Sequence, residues 1–387
     1  PKKGIVSHEQ HEGDFVSFVR KRAKRKFLGI NIPLEDYKMI DDDFAFVTVL
    51  AEYMKRFPER SSAFLDGVDA RGLSRRTLVQ KLFAHVKKST AAFAKDPSYQ
   101  NLIGLHGDEK TGEWRDSRNG IGGGKYPYAV NAALVPAAIK AIAELSANPQ
   151  SEFYNPSEAI DLEQRFEIWN TKVIPLFEVR VSAARAALLG SEFLTSLGLD
   201  PAAFPAPSED IVFQAISIDK DGKKVRIMHS DDSLMMTFGH PSEAYLKQSA
   251  QRFKLGFPYG LVTPVGVLVA NPVFASQRLK AQFNETKYHG RVSWKMQEDL
   301  LVFGIHRQLE RADLTAQTKR ELARSEAIIE KVVAARKDEG GTEVFSIVFK
   351  NGRFKAVPFD GDAKSNSNQL WSHLRLAFNR LKQAAVR

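Results

Sequence analysis

The sequence predicts a mainly α protein, a set of antiparallel helices joined by loops and a few short β-hairpins. Three observations carry that expectation. Apolar residues recur at helical spacing among good helix formers in one stretch after another. Many of these stretches open on Ser, Asp or Asn, residues that cap a helix start, and Gly- or Pro-rich interludes separate them. Strand signals are few, and they come as paired runs around turn sequences.

Taken in order, helical periodicity covers 43–55, 74–93, 130–145 and a long stretch from 157 to 189. It returns over 242–252, 276–283, 293–311, 314–335 and 368–385. Strands are expected over 211–218 and 224–229, flanking Asp219-Lys220-Asp221-Gly222, and over 344–350 and 353–359, flanking Asn351-Gly352. No fixed-period repeat is visible, which excludes a solenoid. The Pro-rich run 200–207 is the best candidate boundary, yet helices like those before it resume after it, so a single domain over 1–387 is expected. About nine or ten helices are counted, a number that rises if short helices escape this reading or if upstream sequence is lost; a second fragment or another copy of the chain is a further partner to consider.

Composition narrows the partners. At 387 residues and 43% hydrophobic content the chain has ample material for a core. No run of apolar residues reaches the roughly 18–20 that cross a bilayer, so no membrane span is expected. The basic opening has no apolar segment behind it, so it is not a signal peptide. Pro1 in place of Met reads as a processed start, either by simple Met removal or by cleavage from a longer precursor, and a leader already removed would lean towards a secreted or periplasmic location. Without cysteine there is no disulfide, no thiolate zinc site and no thiol nucleophile. The net charge of +10 attracts polyanions, and Arg20, Lys21, Arg22, Lys24, Arg25 and Lys26 concentrate it. The plain reading of that run is a solvated basic face; the absence of zinc-finger spacing, RNA-binding signature or zipper argues against nucleic acid.

The segment with most chemistry is 112–144. There a loop with Trp114, Arg115 and Asp116 leads through Gly122-Gly123-Gly124 to Tyr126, Tyr128, Asn131 and a strong helix. The glycines lack both a following Lys-Ser/Thr and a preceding strand, so neither a P-loop nor a dinucleotide fingerprint is met. His8 and His11 with Glu9 and Asp14 lack helical HExxH order, and no metal or other cofactor is expected. Gly-x-Ser-x-Gly is missing, which removes serine-hydrolase chemistry.

Trp114-Arg115-Asp116-Ser117 resembles the loop of the α/α-toroid glycoside hydrolases, the glucoamylase, trehalase and glycogen-debranching kind, in which an aspartate protonates the leaving oxygen. Similar stretches run along nearly the whole chain. They are Ser7-His8-Glu9 with Gly13-Asp14, Asp36-Tyr37-Lys38 through Asp41-Asp42, His229-Ser230-Asp231-Asp232, Gly260 to Gly266, Tyr288-His289-Gly290 with Trp294, and Gln369 with Trp371. Gly341-Thr342-Glu343-Val344-Phe345-Ser346 resembles the loop before the last helix that carries the catalytic base. The resemblance implies an (α/α)6 toroid, a six-hairpin glycosidase fold with short β-hairpin insertions. It also implies an inverting hydrolase that acts on an oligosaccharide or polysaccharide.

Glycosidic cleavage without a cofactor needs one carboxyl to protonate the leaving group and another to activate water. The expected acid is Asp116 and the expected base Glu343. A flanking tryptophan favours the proton on Asp116 by desolvation, whereas Arg115 favours the carboxylate. Substrate contacts are expected from Glu9, Asp14, Asp41, Asp42, Trp114, Arg115, Tyr126, Tyr128, Asn131, His229, Asp231, Tyr288, His289, Trp294, Gln369 and Trp371. For Asp41, Asp42 and Asp43 helix capping is an equally simple role. Two rival functions follow from the same residues. One is a lyase on an anionic glycan with Tyr288 and His289 as base and acid. The other is a toroid that binds glycan or polyanion without turnover, as departures such as Ala129 in an acid's usual place suggest.

Overall fold

A computed structural model describes residues 4–11, 16, 34–69, 72–336, 342–363, 365 and 373–385. It is mainly helical, 52% helix against 13% strand, as the periodicity predicts. Two compact units account for the contacts. The first holds residues 1–116 and 134–169, the second residues 117–133 and 170–387. The Pro-rich run 200–207 is not a boundary between them; it lies inside the second unit.

In the first unit a short antiparallel pair, β1 (Glu9–His11) with β2 (Leu34–Asp36), precedes the helices α1 (Asp42–Arg56), α2 (Pro58–Asp66) and α3 (Arg75–Lys95). After the segment assigned to the second unit come α4 (Val135–Ala147) and the start of α5 (Pro156–Phe177). α1 buries Phe44, Val47, Leu50, Ala51 and Met54, a stripe at helical spacing that packs against α4. α4 is buried almost all round, which is why it reads as apolar on every face. The stretch Ala129–Ala147 is long and apolar enough to cross a membrane, but it is 89% buried, as a core helix is. α3 starts at a genuine cap, Ser74 Oγ accepting the Thr77 N–H at 3.1 Å. Trp169 closes this core, its ring tilted against Phe93 with centroids 4.3 Å apart and its Nε1–H donated to the Thr90 carbonyl.

The second unit joins helices to small sheets. Glu178–Val181 pairs with Ile211–Gln214, and the expected hairpin forms from Ser217–Ile218 and Lys224–Val225, with Tyr126–Pro127 on its other edge. The helices are α6 (Ala183–Ser196), α7 (Asp232–Phe238), α8 (Glu243–Leu255), α9 (Gln277–Gln282), α10 (Lys295–Leu309), α11 (Ala316–Ala334) and α12 (Leu374–Ala385). α10 packs on α7, α11 and α12, and α8 packs on α11, around Met236, Leu246, Phe253, Leu301, Ile305, Leu322 and Ile329. Gly190 on α6 admits the ring of Tyr259, which would stand 2.3 Å from an added Cβ. Val292–Trp294, Val344–Lys350 and Arg353–Pro358 form a three-stranded sheet, its last turn made by Asn351 and Gly352 at φ of 53° and 72°.

The structure corrects several expected boundaries. The helix expected over 157–189 stops at Phe177, where Val179 and Val181 turn inward as a strand, and a new helix begins at the Ser182 cap. The stretch 130–145 enters α4 through a π-helical turn, Ala129–Leu134, ahead of Pro136, which has no N–H to give. The strand expected over 211–218 is two strands broken at Ala215-Ile216, and that over 224–229 divides likewise, Met228–His229 pairing with Ala270–Asn271. Residues 293–294 are strand, with α10 starting at Lys295. Of the stretch 368–385, residues 373–385 are described; the basic run 20–26 lies outside the described residues.

Candidate functional site

In the first unit the expected residues gather where the chain enters α1 and where the 112–116 loop returns. The Ile40 N–H donates to the Gly112 carbonyl at 2.7 Å and ties the two segments together. Asp41 holds the N-cap position yet makes no side-chain cap bond; the capping expected of it does not form. It is 8% exposed, and its carboxyl is pushed up to about 8, chiefly by burial and further by the charge of Asp42. Backbone N–H groups of Asp41, Trp114 and Asp42 pull the other way and are outweighed. Asp42 is also pushed up by burial, against the His8 imidazole, whose Nδ1 lies 3.0 Å from Oδ2. Asp43 accepts the Val6 N–H at 2.6 Å and stands 3.2 Å from His85 Nε2.

Asp116 is exposed, yet the protein packed beside its carboxyl pushes the pKa up through desolvation. His8 and Lys38 oppose the rise, and Glu9 adds to it. Arg115, the cation expected to oppose the proton, is buried with its guanidinium over the Trp114 ring at 4.2 Å. His8 and Lys38 act on Asp116, and His8 and Asp36 act on Asp42, contacts that the sequence does not announce; Lys38 Nζ pairs with Asp36 Oδ2 at 2.8 Å.

Asp41 has a testable consequence for stability. Its carboxyl ionises near 4 when unfolded and near 8 when folded, so the folded state holds one more proton between those values. Stability therefore falls as pH rises from about 4 to about 8. Asp41→Asn removes that titration. Its melting temperature minus that of the unaltered protein is expected to increase across this window in paired thermal melts and to level off above it.

In the second unit a separate group forms around Glu343. That carboxylate is 1% exposed and accepts the Tyr288 hydroxyl on Oε1 at 3.0 Å, while its backbone carbonyl accepts the Lys295 N–H. The indole of Trp294 donates Nε1–H to the Tyr288 carbonyl at 2.9 Å and lies parallel to the His289 ring, centroids 5.3 Å apart. His289 Nδ1 is 2.8 Å from Ser117 Oγ. Four expected residues, Tyr288, His289, Trp294 and Glu343, thus meet from two distant parts of the sequence, with the sheet pairing Trp294 to Val344 bringing them together. Ser117, the last residue of the Trp-Arg-Asp-Ser motif, is a partner of this group that the sequence does not announce.

Other expected contacts have packing roles. Tyr128 is fully buried, its ring against Phe177 and His229 and its hydroxyl 2.8 Å from that of Tyr245, so it offers no free face to a sugar. Asn131 is buried and donates to the Pro127 carbonyl. His229 and Asp231, both buried, form a pair at 3.2 Å. Tyr126 is half-buried in its strand pairing with Ile218. Glu9 is exposed in β1. Asp14, Gln369 and Trp371 lie outside the described residues. Among the described residues no group of three or more His, Asp or Glu side chains is placed to hold a metal ion. No protein-family model matches the chain, and neither does any curated protein sequence.

Proposed function

We propose that the chain is a glycoside hydrolase of the inverting, two-carboxylate type, built as an α/α toroid, with Asp116 protonating the leaving oxygen and Glu343 activating water. The observation that carries this reading is the setting of Glu343: a buried carboxylate, held by a tyrosine hydroxyl, with a tryptophan and a histidine stacked alongside. A fixed carboxylate is what a nucleophilic water requires; the Trp294 and His289 rings beside it are themselves buried and brace Tyr288, so they support the carboxylate and offer no free face to a sugar. Asp116 supplies the complementary property, since its raised pKa favours the protonated form that a general acid must have.

The same geometry favours hydrolysis over elimination. A tyrosine acting as base must shed its proton, whereas Tyr288 donates its proton to Glu343 in a hydrogen bond that a phenolate cannot make. The test is a product screen on a panel of neutral, amino and uronic-acid oligosaccharides. Release of reducing sugar by the unaltered protein, and its loss in Asp116→Asn, is the expected result. An unsaturated product absorbing in the ultraviolet would replace hydrolysis by the lyase chemistry, and retained glycan binding without turnover would leave a binding protein.

A further inference from the structure

We propose that Asp41 is a positioning residue for Asp116: its buried carboxyl, seated against the 112–116 loop, fixes where that loop presents the Asp116 side chain. The inference rests on the reading of Asp116 as the general acid. Two features tie the segments closely. The Ile40 N–H reaches the Gly112 carbonyl at 2.7 Å, and a Cβ added at Gly112 would stand 3.0 Å from the Lys38 carbonyl oxygen. Asp41 is 8% exposed and its Oδ1 is buried without a hydrogen-bond partner among the described residues, so the packed loop, not solvent, surrounds it.

The charge that acts on Asp41 is that of Asp42; His8, Asp43 and Asp36 act in turn on Asp42, while His8, Lys38 and Glu9 act on Asp116, which shares the loop with Glu113 and Arg115. Asp42 adds to burial in holding Asp41 neutral. An uncharged carboxyl is tolerated in that place; a carboxylate is not, unless the loop gives way to let water in. Ionisation of Asp41 as pH passes about 8 therefore loosens the loop and displaces Asp116, and the alkaline limit of activity belongs to Asp41.

Asp41→Asn keeps the shape and removes the charge, and two readouts test the idea. Amide hydrogen exchange across 112–116, compared with that variant at each pH, is expected to be equal at pH 6 and faster in the unaltered protein at pH 9. On a glycan that the unaltered protein hydrolyses, kcat of the unaltered protein is expected to fall through about pH 8, while Asp41→Asn keeps its rate to pH 9. Asp41→Ala, which removes the seat, is expected to lose about 10²-fold in kcat with KM held. Equal exchange at pH 9, or an alkaline limb that Asp41→Asn leaves in place, overturns the proposal even if Asp116 proves essential. An exchange difference without any glycan turnover would support the seat and count against the hydrolase reading alone.

Discussion

Arg252→Met is expected to destabilise the second unit by about 3–5 kcal/mol, a fall in melting temperature on the order of 10 °C. Arg252 and Asp232 are each 2% exposed, and one guanidinium nitrogen reaches both carboxylate oxygens, at 2.8 and 2.7 Å. Removing the arginine strands a carboxylate in the core, whose desolvation is no longer compensated. Tyr245 donates to the same carboxylate and Tyr128 lies 2.8 Å from Tyr245, but neutral hydroxyls cannot cancel a charge. Arg252→Met combined with Asp232→Asn is therefore expected to recover much of the loss, because asparagine keeps an acceptor for Tyr245 and leaves no ion behind. Thermal melts of the single and double variants measure the difference. Additive losses in the double variant would show that the two side chains do not act as a pair.

That network also shows where a sequence stops being informative. Tyr128 and His229 read as sugar contacts because a tyrosine or histidine in a polar loop presents the same residue type to substrate or to core. Only the placement of Tyr245, Phe177 and Asp232 decides that Tyr128 faces inward. Local features were legible. Ser74 and Ser242 cap α3 and α8 by bonds to residues three further on, and Asn351-Gly352 makes the turn its type demands. The helix break after Phe177 was not legible, because it depends on a strand partner at 211–214 that is far away in sequence. Pro175 inside α5 even marks the wrong place for it. Asp41 illustrates the same limit in its chemistry. An aspartate before a helix predicts a charged cap, and the dipole favours that charge by about 0.3–1 kcal/mol. Burial against a loop some seventy positions along the chain reverses the outcome. By contrast, the Glu343 group was largely legible from its short motifs. Strand pairing across Val292–Trp294 and Val344–Ser346 was all that was needed to join them, and Ser117 escaped because a single serine hydroxyl carries no signature of its partner.

Glu343→Gln is expected to lower kcat by about 10²–10⁴-fold with KM little changed, the loss of a general base. Glutamine fills the same buried volume and still accepts the Tyr288 hydroxyl, so the fold around it is kept and the change is confined to proton affinity. Tyr288→Phe makes a useful companion. It leaves the carboxylate and removes only its hydrogen-bond donor, so it is expected to reduce kcat by a smaller factor. It should also shift the acidic limb of the rate profile upward, since a carboxylate that loses a donor holds its proton more tightly. The two substitutions act on one group, so the double variant is expected to be no slower than Glu343→Gln alone. Initial rates of reducing-sugar release for the four proteins, taken across pH, measure all of this. Multiplied losses in the double variant would place Tyr288 in a role of its own, and full activity in Glu343→Gln would move the base to another carboxylate.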